Sequence, residues 1–185
     1  VREAAVDGLI VFCMAEEEPL LAAALDRRLP VVLVEQPPVE GLPAIVIDDE
    51  GASREAAEHL IELGHEKLAV VSIELSYRPE GGFVSVQRQR SATYRPSQAR
   101  LAGYESAAKA AGLDWEQTPV YECVENSVEQ GRNAARRLLD TDPRPTAILC
   151  MSDLLATGVI EEAAKRDLSV PVSYTHLRAH ETSLH

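Results

Sequence analysis

The feature that most constrains this chain is an alternation of short, wholly apolar runs with longer amphipathic segments. DGLIVFC reads as a buried strand, and EEEPLLAAALDRRL, with acids and a proline in its first turn, as the helix after it. PVVLVEQ and PAIVIDD follow as strands. ASREAAEHLIEL then sets Ala52, Ala56, Leu60 and Leu63 on one helical face and stops at Gly64. KLAVVSI, TPVYECV and TAILCM read as further strands. SVEQGRNAARRLLD is a helix opened by a Ser127–Gln130 capping box, and SDLLATGVIEEAAKR is the closing helix. Apolar strands alternating with amphipathic helices predict a parallel sheet covered on both faces, joined by right-handed crossovers. The expected fold class is α/β, doubly wound.

At 185 residues, 45% of them hydrophobic, the chain is long enough to bury a sizeable core. Aromatic residues are sparse at 4%, which suits helix–sheet layers better than a β-sandwich. No apolar run reaches bilayer-spanning length, so no membrane partner is expected. A net charge of −12 argues against this chain gripping nucleic acid itself, because phosphate binding needs a basic face. Three widely spaced cysteines fit no disulfide framework and point to a reducing compartment. The sequence has no GxSxG, GxxxxGK or HExxH, and no GxGxxG after a strand. His59 and His65 fall on different helical faces, and the adjacent Asp48 and Asp49 diverge. Neither pair makes a metal site or an acid–base couple. No catalytic residue, metal or cofactor is expected, and the polar groups suit holding a ligand.

RPSQARLAGYESAAKAAG poses a sharper question. Ser97 is placed to cap a helix that Gly112 ends, with Leu101, Tyr104, Ala108 and Ala111 on one face. Three residues after that cap, where a capping box has Glu or Gln, stands Arg100. A cation there opposes the helix dipole by roughly 0.3–1 kcal/mol. Its retention implies an acidic or hydroxyl-rich partner, either a ligand or an acid such as Glu105.

In doubly wound sheets ligands gather at the carboxyl ends of the strands. Those ends carry Cys13, Glu35, Asp48 and Asp49, the stretch after Ile73, Cys123 to Asn126, and Met151 to Asp153. Plainer readings stand beside the ligand one. Asp49 and Asp153 also suit helix caps, Glu35 a solvated loop before Gln-Pro-Pro, and the cysteines small core fillers.

DDEGASREAAEHLIELGHEKLAVV, then RLAGYESAAKAAGL, then RPTAILCMSDLLATGVIEEA together resemble the effector-binding domain of LacI-type transcriptional regulators. VDGLIVFCMAEEEPLL and LPVVLVEQP agree with that family in the same order, so the likeness runs from Val6 to about Val172. The resemblance implies a periplasmic-binding-protein-like fold of type I, with doubly wound parallel sheets in two subdomains and a small ligand between them. It assigns residues 1–47 to a partial N-terminal subdomain and 48–172 to an incomplete C-terminal one. Residues 173–185, where SYTHLRAHET loses hydrophobic periodicity, read as a non-native tail. Its three histidines, His176, His180 and His185, are not taken as metal ligands.

By the same resemblance Arg100 faces the cleft and hydrogen-bonds an effector. Asp49 stands where many members carry Asn, Ser152 where Asn commonly precedes the Asp at Asp153, and Glu35 where Asp is frequent. Cys13, at the first strand's end, completes the ligand-binding candidates. These exchanges alter charge and reach, so effector identity does not carry over. The implied partners are a sugar or related polar metabolite, a second copy of the chain, and operator DNA. The DNA would be read by an N-terminal helix-turn-helix headpiece absent from this chain, in a cytoplasmic protein. The alternative is a periplasmic sugar-binding protein of a transport system.

Two departures accompany the likeness. Both ends are expected to be truncated, since the chain opens at Val1 almost directly into a strand and PVSYTHL replaces the family's late strand. Between Ile73 and Arg100, ELSYRPEGGFVSVQRQRSATYRPSQ is longer than usual and carries Arg78, Arg88, Arg90 and Arg95 against a single acid after Tyr77, Glu80. That segment reads either as a solvated flexible insertion, the reading preferred here, or as a basic lid selecting an anionic effector.

Overall fold

The computed structural model describes residues 5–12, 14, 19–35 and 39–170. Cys13 and the expected non-native tail lie outside the described residues. β1 (Leu9–Phe12), β2 (Val31–Val34) and β3 (Ala44–Ile45) form one parallel sheet in that order, with α1 (Pro19–Leu25) between the first two strands. Val11, Val31 and Leu33 pack on Leu21 and Ala24 of α1. Successive strand residues point to opposite faces, so Ile10 and Phe12 face the other way and are 77% and 66% exposed. Among the described residues no helix packs on that face of the sheet. Among the described residues its cluster draws helical side chains from α1 alone.

The second sheet meets the expectation. β4 (Leu68–Ser72), β5 (Gly82–Phe83), β6 (Val120–Glu122) and β7 (Ala147–Cys150) lie in the order β5-β6-β4-β7. β4, β6 and β7 are parallel, and the short β5 is an antiparallel edge. α2 (Asp49–Glu62) and α4 (Arg95–Ala110) cover one face, α5 (Val128–Leu139) and α6 (Asp153–Lys165) the other. All five residues of β4 are buried. Val70 joins Leu101, Tyr104 and Trp115 on one side, while Ala69 and Val71 join Ala134, Leu138 and Leu155 on the other. A strand buried on both faces cannot alternate polar and apolar residues, which is why KLAVVS is nearly all apolar.

Helix pairs on each face approach almost to backbone contact. A Cβ on Gly103 would stand 2.3 Å from the Glu50 carbonyl oxygen, which gives the glycine of RLAGY its structural reason. On the opposite face a Cβ on Gly158 would stand 2.2 Å from the Val128 carbonyl oxygen. The close approach at Gly103 also decides which side of α2 is buried. Its buried residues are Asp49, Ser53 and Ala57, one position round from the stripe read in the sequence, and Leu63 is exposed.

Two helix starts depart from the sequence reading. Asp48, not Asp49, caps α2, accepting the Gly51 N–H at 2.9 Å. α4 begins at Arg95 rather than after Ser97, because Pro96 sits in the first turn with its φ already helical. Ser97 is fully buried and gives its hydroxyl to the Glu74 carbonyl oxygen at 2.7 Å. Arg100 therefore lies in the second turn of α4, where the dipole penalty has faded. Ser127 and Ser152 cap α5 and α6 through the N–H groups of Gln130 and Leu155.

Candidate functional site

Four charged residues distant in sequence meet where the two sheets adjoin. Asp49, the first residue of α2, is buried. Its Oδ1 accepts Arg100 Nε at 2.8 Å and its Oδ2 accepts Arg95 Nη1 at 3.5 Å. Arg100 Nη1 also donates to the Met151 carbonyl oxygen at the end of β7. Arg95 crosses to the first sheet, where Nη1 donates to Glu35 Oε2 at 3.0 Å and Nη2 to the Ile47 carbonyl oxygen at 3.2 Å. Two guanidiniums thus face two carboxylates, and the cluster's charges balance.

Glu35 is held with unusual force for a residue just past a strand. Its φ of 54° is left-handed, a conformation that costs a non-glycine residue on the order of 1 kcal/mol. The surroundings hold it there: its N–H donates to the Ile45 carbonyl oxygen at 3.0 Å and its Oε1 accepts the Ile47 N–H at 2.6 Å. Burial raises its carboxyl above the usual value of 4.5, and the negative Asp49 adds to that. The Ile47 N–H and Arg95 act in the opposite sense.

Asp49 and Arg100 form the polar end of a cavity of about 740 Å³ bounded by α2, β7 and α6. Ser53, Tyr104, Asn126 and Ser152 add hydroxyl and amide groups, whereas Leu60, Ile148 and Ile160 line the apolar remainder. Burial pushes the Tyr104 phenol up to about 12, so it stays a neutral hydrogen-bonding group. The Ser152 hydroxyl donates to Asn126 Oδ1, tying the ends of two neighbouring loops together.

Of the residues read from the sequence, Arg100, Asp49, Ser152 and Asp153 all line this one cavity. Glu35 does not line it but reaches Asp49 through Arg95, and Cys13 lies outside the described residues. Glu35 is buried rather than solvated, and Asp153 follows the cap of α6 instead of being it. Arg100 does not pair with Glu105, which takes Lys109 at 2.6 Å and Arg90 at 3.9 Å. Among the described residues the cavity walls come from residues 49–170. Among the described residues β7 is the sheet's edge, and its unpaired side leaves that space open. Arg95 is the member the sequence reading missed. Recognising Pro96 as a first-turn proline would have put Arg95 inside the helix, on the same element as Arg100.

The Arg-rich segment is folded, not a solvated loop. It holds β5 and α3 (Val86–Arg90), buries Leu75 and Ala92, and accepts the Trp115 Nε1–H on Gln89 at 3.0 Å. Three of its four arginines are ion-paired: Arg88 with Glu122 and Glu80, Arg90 with Glu105, and Arg95 with Glu35 and Asp49. Most of the basic patch expected beside the site is thereby neutralised. Among the described residues no group of three or more His, Cys, Asp or Glu is arranged to hold a metal ion. None of their helices is long and apolar enough to cross a membrane.

Residues 1–179 match the family model for periplasmic binding proteins and the sugar binding domain of the LacI family. The chain is 35% identical over 176 residues to the HTH-type transcriptional regulator Rv3575c of Mycobacterium tuberculosis, covering 95% of this chain and 49% of that one. The crystal structure of a LacI-family transcriptional regulator from Corynebacterium glutamicum is similar at a TM-score of 0.86 and 35% identity, covering 91% of this chain and 50% of that one. The transcriptional regulator CelR–cellobiose complex is similar at a TM-score of 0.71 and 26% identity, over 90% of this chain and 46% of that one. The chain spans about half the length of these relatives. Sequence and fold agree along more than 90% of its length, and the chain belongs to the family of periplasmic binding proteins and LacI-type sugar-binding domains.

Proposed function

We propose that this chain is the effector-binding part of a LacI-type transcriptional regulator, sensing an uncharged, hydroxyl-rich metabolite such as a sugar. The observation that carries this reading is the Asp49–Arg100 pair at the polar end of the cavity, set among hydroxyl and amide groups. The guanidinium offers a planar fork of donors and the carboxylate only acceptors, so together they match adjacent hydroxyls, which need both. The lining charges support a neutral ligand: an anion entering the cavity meets the carboxylates of Asp49 and Asp153 along with the guanidinium of Arg100. The cellobiose held by the related CelR supports the same class.

In this reading the ligand competes for contacts that now join the first sheet to the second through Glu35 and Arg95. A ligand with different affinity for two arrangements of the sheets shifts their population, and that shift is the signal. Operator DNA would be read by a helix-turn-helix headpiece outside this chain, carried by a cytoplasmic homodimer. A net charge of −12 is compatible with DNA contact lying elsewhere. The site's task is binding, with no group assigned to turnover.

Calorimetric titration with glucose, cellobiose and fructose 1-phosphate tests the proposal. A neutral sugar should bind more tightly than the phosphorylated one. Arg100→Ala should weaken that binding at least about tenfold, the size of a lost hydrogen bond to a charged group. Unchanged affinity in Arg100→Ala would show that the site is misassigned, and binding of the phosphorylated sugar alone would overturn the ligand class.

A further inference from the structure

We infer that Glu122, at the end of β6, is a positioning residue that sets where α4 begins and so aims Arg95 at Glu35 and Asp49. Nothing in the motifs singles out this residue. In the fold it is a carboxylate with 0% exposure, and both of its oxygens are in use. Oε1 accepts the Leu75 N–H at 2.9 Å and Arg88 Nη2 at 2.9 Å. Oε2 accepts the Glu80 N–H at 3.3 Å and Arg88 Nε at 3.4 Å. A buried carboxylate is retained at a large desolvation cost unless such partners compensate it. Here two backbone N–H groups and a guanidinium do so, and all three belong to the segment leading into α4.

The effect passes from Glu122 to the arginines through one residue. Leu75, fully buried, gives its N–H to Glu122, and its carbonyl oxygen accepts the N–H groups of Thr93 at 2.7 Å and Tyr94 at 3.2 Å. Tyr94 is the N-cap of α4, and the next residue is Arg95. Two further ties at this end run to the same segment: Ser97 to the Glu74 carbonyl oxygen and Gln98 to the Ala92 carbonyl oxygen. The Tyr94 side chain does not cap the helix's own N–H groups. Helix termini need partners for their first N–H groups, and this one takes its placement from the carbonyl groups of Glu74 and Leu75, just beyond β4. The close approach at Gly103 fixes how near α4 lies to α2 but not how its first turn is aimed. Arg88 reinforces the arrangement by donating also to Ser76 Oγ at 3.1 Å and to the Arg78 carbonyl oxygen at 3.4 Å.

This inference rests on reading Asp49 and Arg100, to which Arg95 is tied through Asp49, as the ligand-binding pair, and it is tested on ligand-free protein so that the two stand or fall separately. In arginine-labelled protein, NMR measures rotation about the Nε–Cζ bond of each guanidinium. Arg95, held through both Nη atoms, should rotate slowly. Glu122→Gln keeps the side chain's shape but turns an amide N–H₂ toward Arg88 or the backbone donors. The Arg95 rotation should then speed up by about tenfold, the factor for weakening one hydrogen bond to a charged group, while Arg136 and Arg166 across the sheet stay unchanged. If Glu122→Gln does not fold, Arg88→Lys removes the fork from the partly exposed side of the same cluster, and the Arg95 rate should move in the same direction by less. A variant that loses thermal stability with the Arg95 rate unchanged has a purely structural Glu122, and that result overturns the inference even if a sugar binds. A failed sugar titration, with the Arg95 rate responding, condemns the ligand reading instead.

Discussion

Asp49→Asn isolates the charge that holds the site together. Removing one partner of a fully buried ion pair costs about 3–5 kcal/mol, because the other charge is left uncompensated. The Asp49 side chain is 1% exposed, but those of Arg95 and Arg100 are each 23% exposed, so water screens part of that cost. Each arginine also keeps a second partner, Glu35 for Arg95 and the Met151 carbonyl oxygen for Arg100. The asparagine oxygen still accepts Arg100 Nε, retaining about 1 kcal/mol of neutral hydrogen bonding. The expected loss is therefore about 2 kcal/mol. At roughly 2–4 °C per kcal/mol for a chain of this size, the melting temperature should fall by about 4–8 °C. Denaturant unfolding of Asp49→Asn, Arg100→Met and the double variant measures both the loss and the coupling, which should be about 1–2 kcal/mol. A loss within about 0.5 kcal/mol, the range of ordinary surface substitutions, would refute the assignment of Asp49 as the buried counter-ion.

Two other outcomes follow from the same geometry. Gly103→Ala should cost about 1–3 kcal/mol by denaturant melt despite alanine's better helix propensity, because its Cβ would overlap the Glu50 carbonyl oxygen and push α2 and α4 apart; a stabilised variant would mean that the helices are not in backbone contact. Glu35 has a folded-state pKa above its usual 4.5, so its contribution to stability is fully present below that pH and is lost as pH rises through the folded value. The stability of the wild type relative to Glu35→Gln should therefore fall from pH 4.5 upward, and a difference that is flat or rises in urea melts across that window would show that Glu35 is not the buried group.

Much of the fold is written locally. The apolar runs at Leu9–Phe12, Val31–Val34, Leu68–Ser72 and Ala147–Cys150 became strands where the pattern put them, and Ser127 capped its helix as its spacing predicts. A strand's periodicity, a helix's apolar stripe and a cap within three residues depend on neighbours along the chain, so sequence alone determines them. The order of motifs such as HLIELGH and RLAGY likewise sufficed to indicate the family, and Arg100 and Asp49 were legible as candidates that share one cavity.

What stayed hidden depends on partners far away in the chain. Arg95 and Glu35 are 60 positions apart, Arg100 and Asp49 51, and Leu75 and Glu122 47. Charge pairing is decided by ångström distances and by loss of water, and neither exists until packing brings those segments together. The same holds for the buried side of α2, chosen by a glycine on another helix, and for the Arg-rich segment, whose charges look free only while their acids are elsewhere. Sequence determined most of the elements and their order, though not β5 and α3; tertiary structure decided which face each helix buries and which charge answers which, because those are properties of contacts and not of spacing.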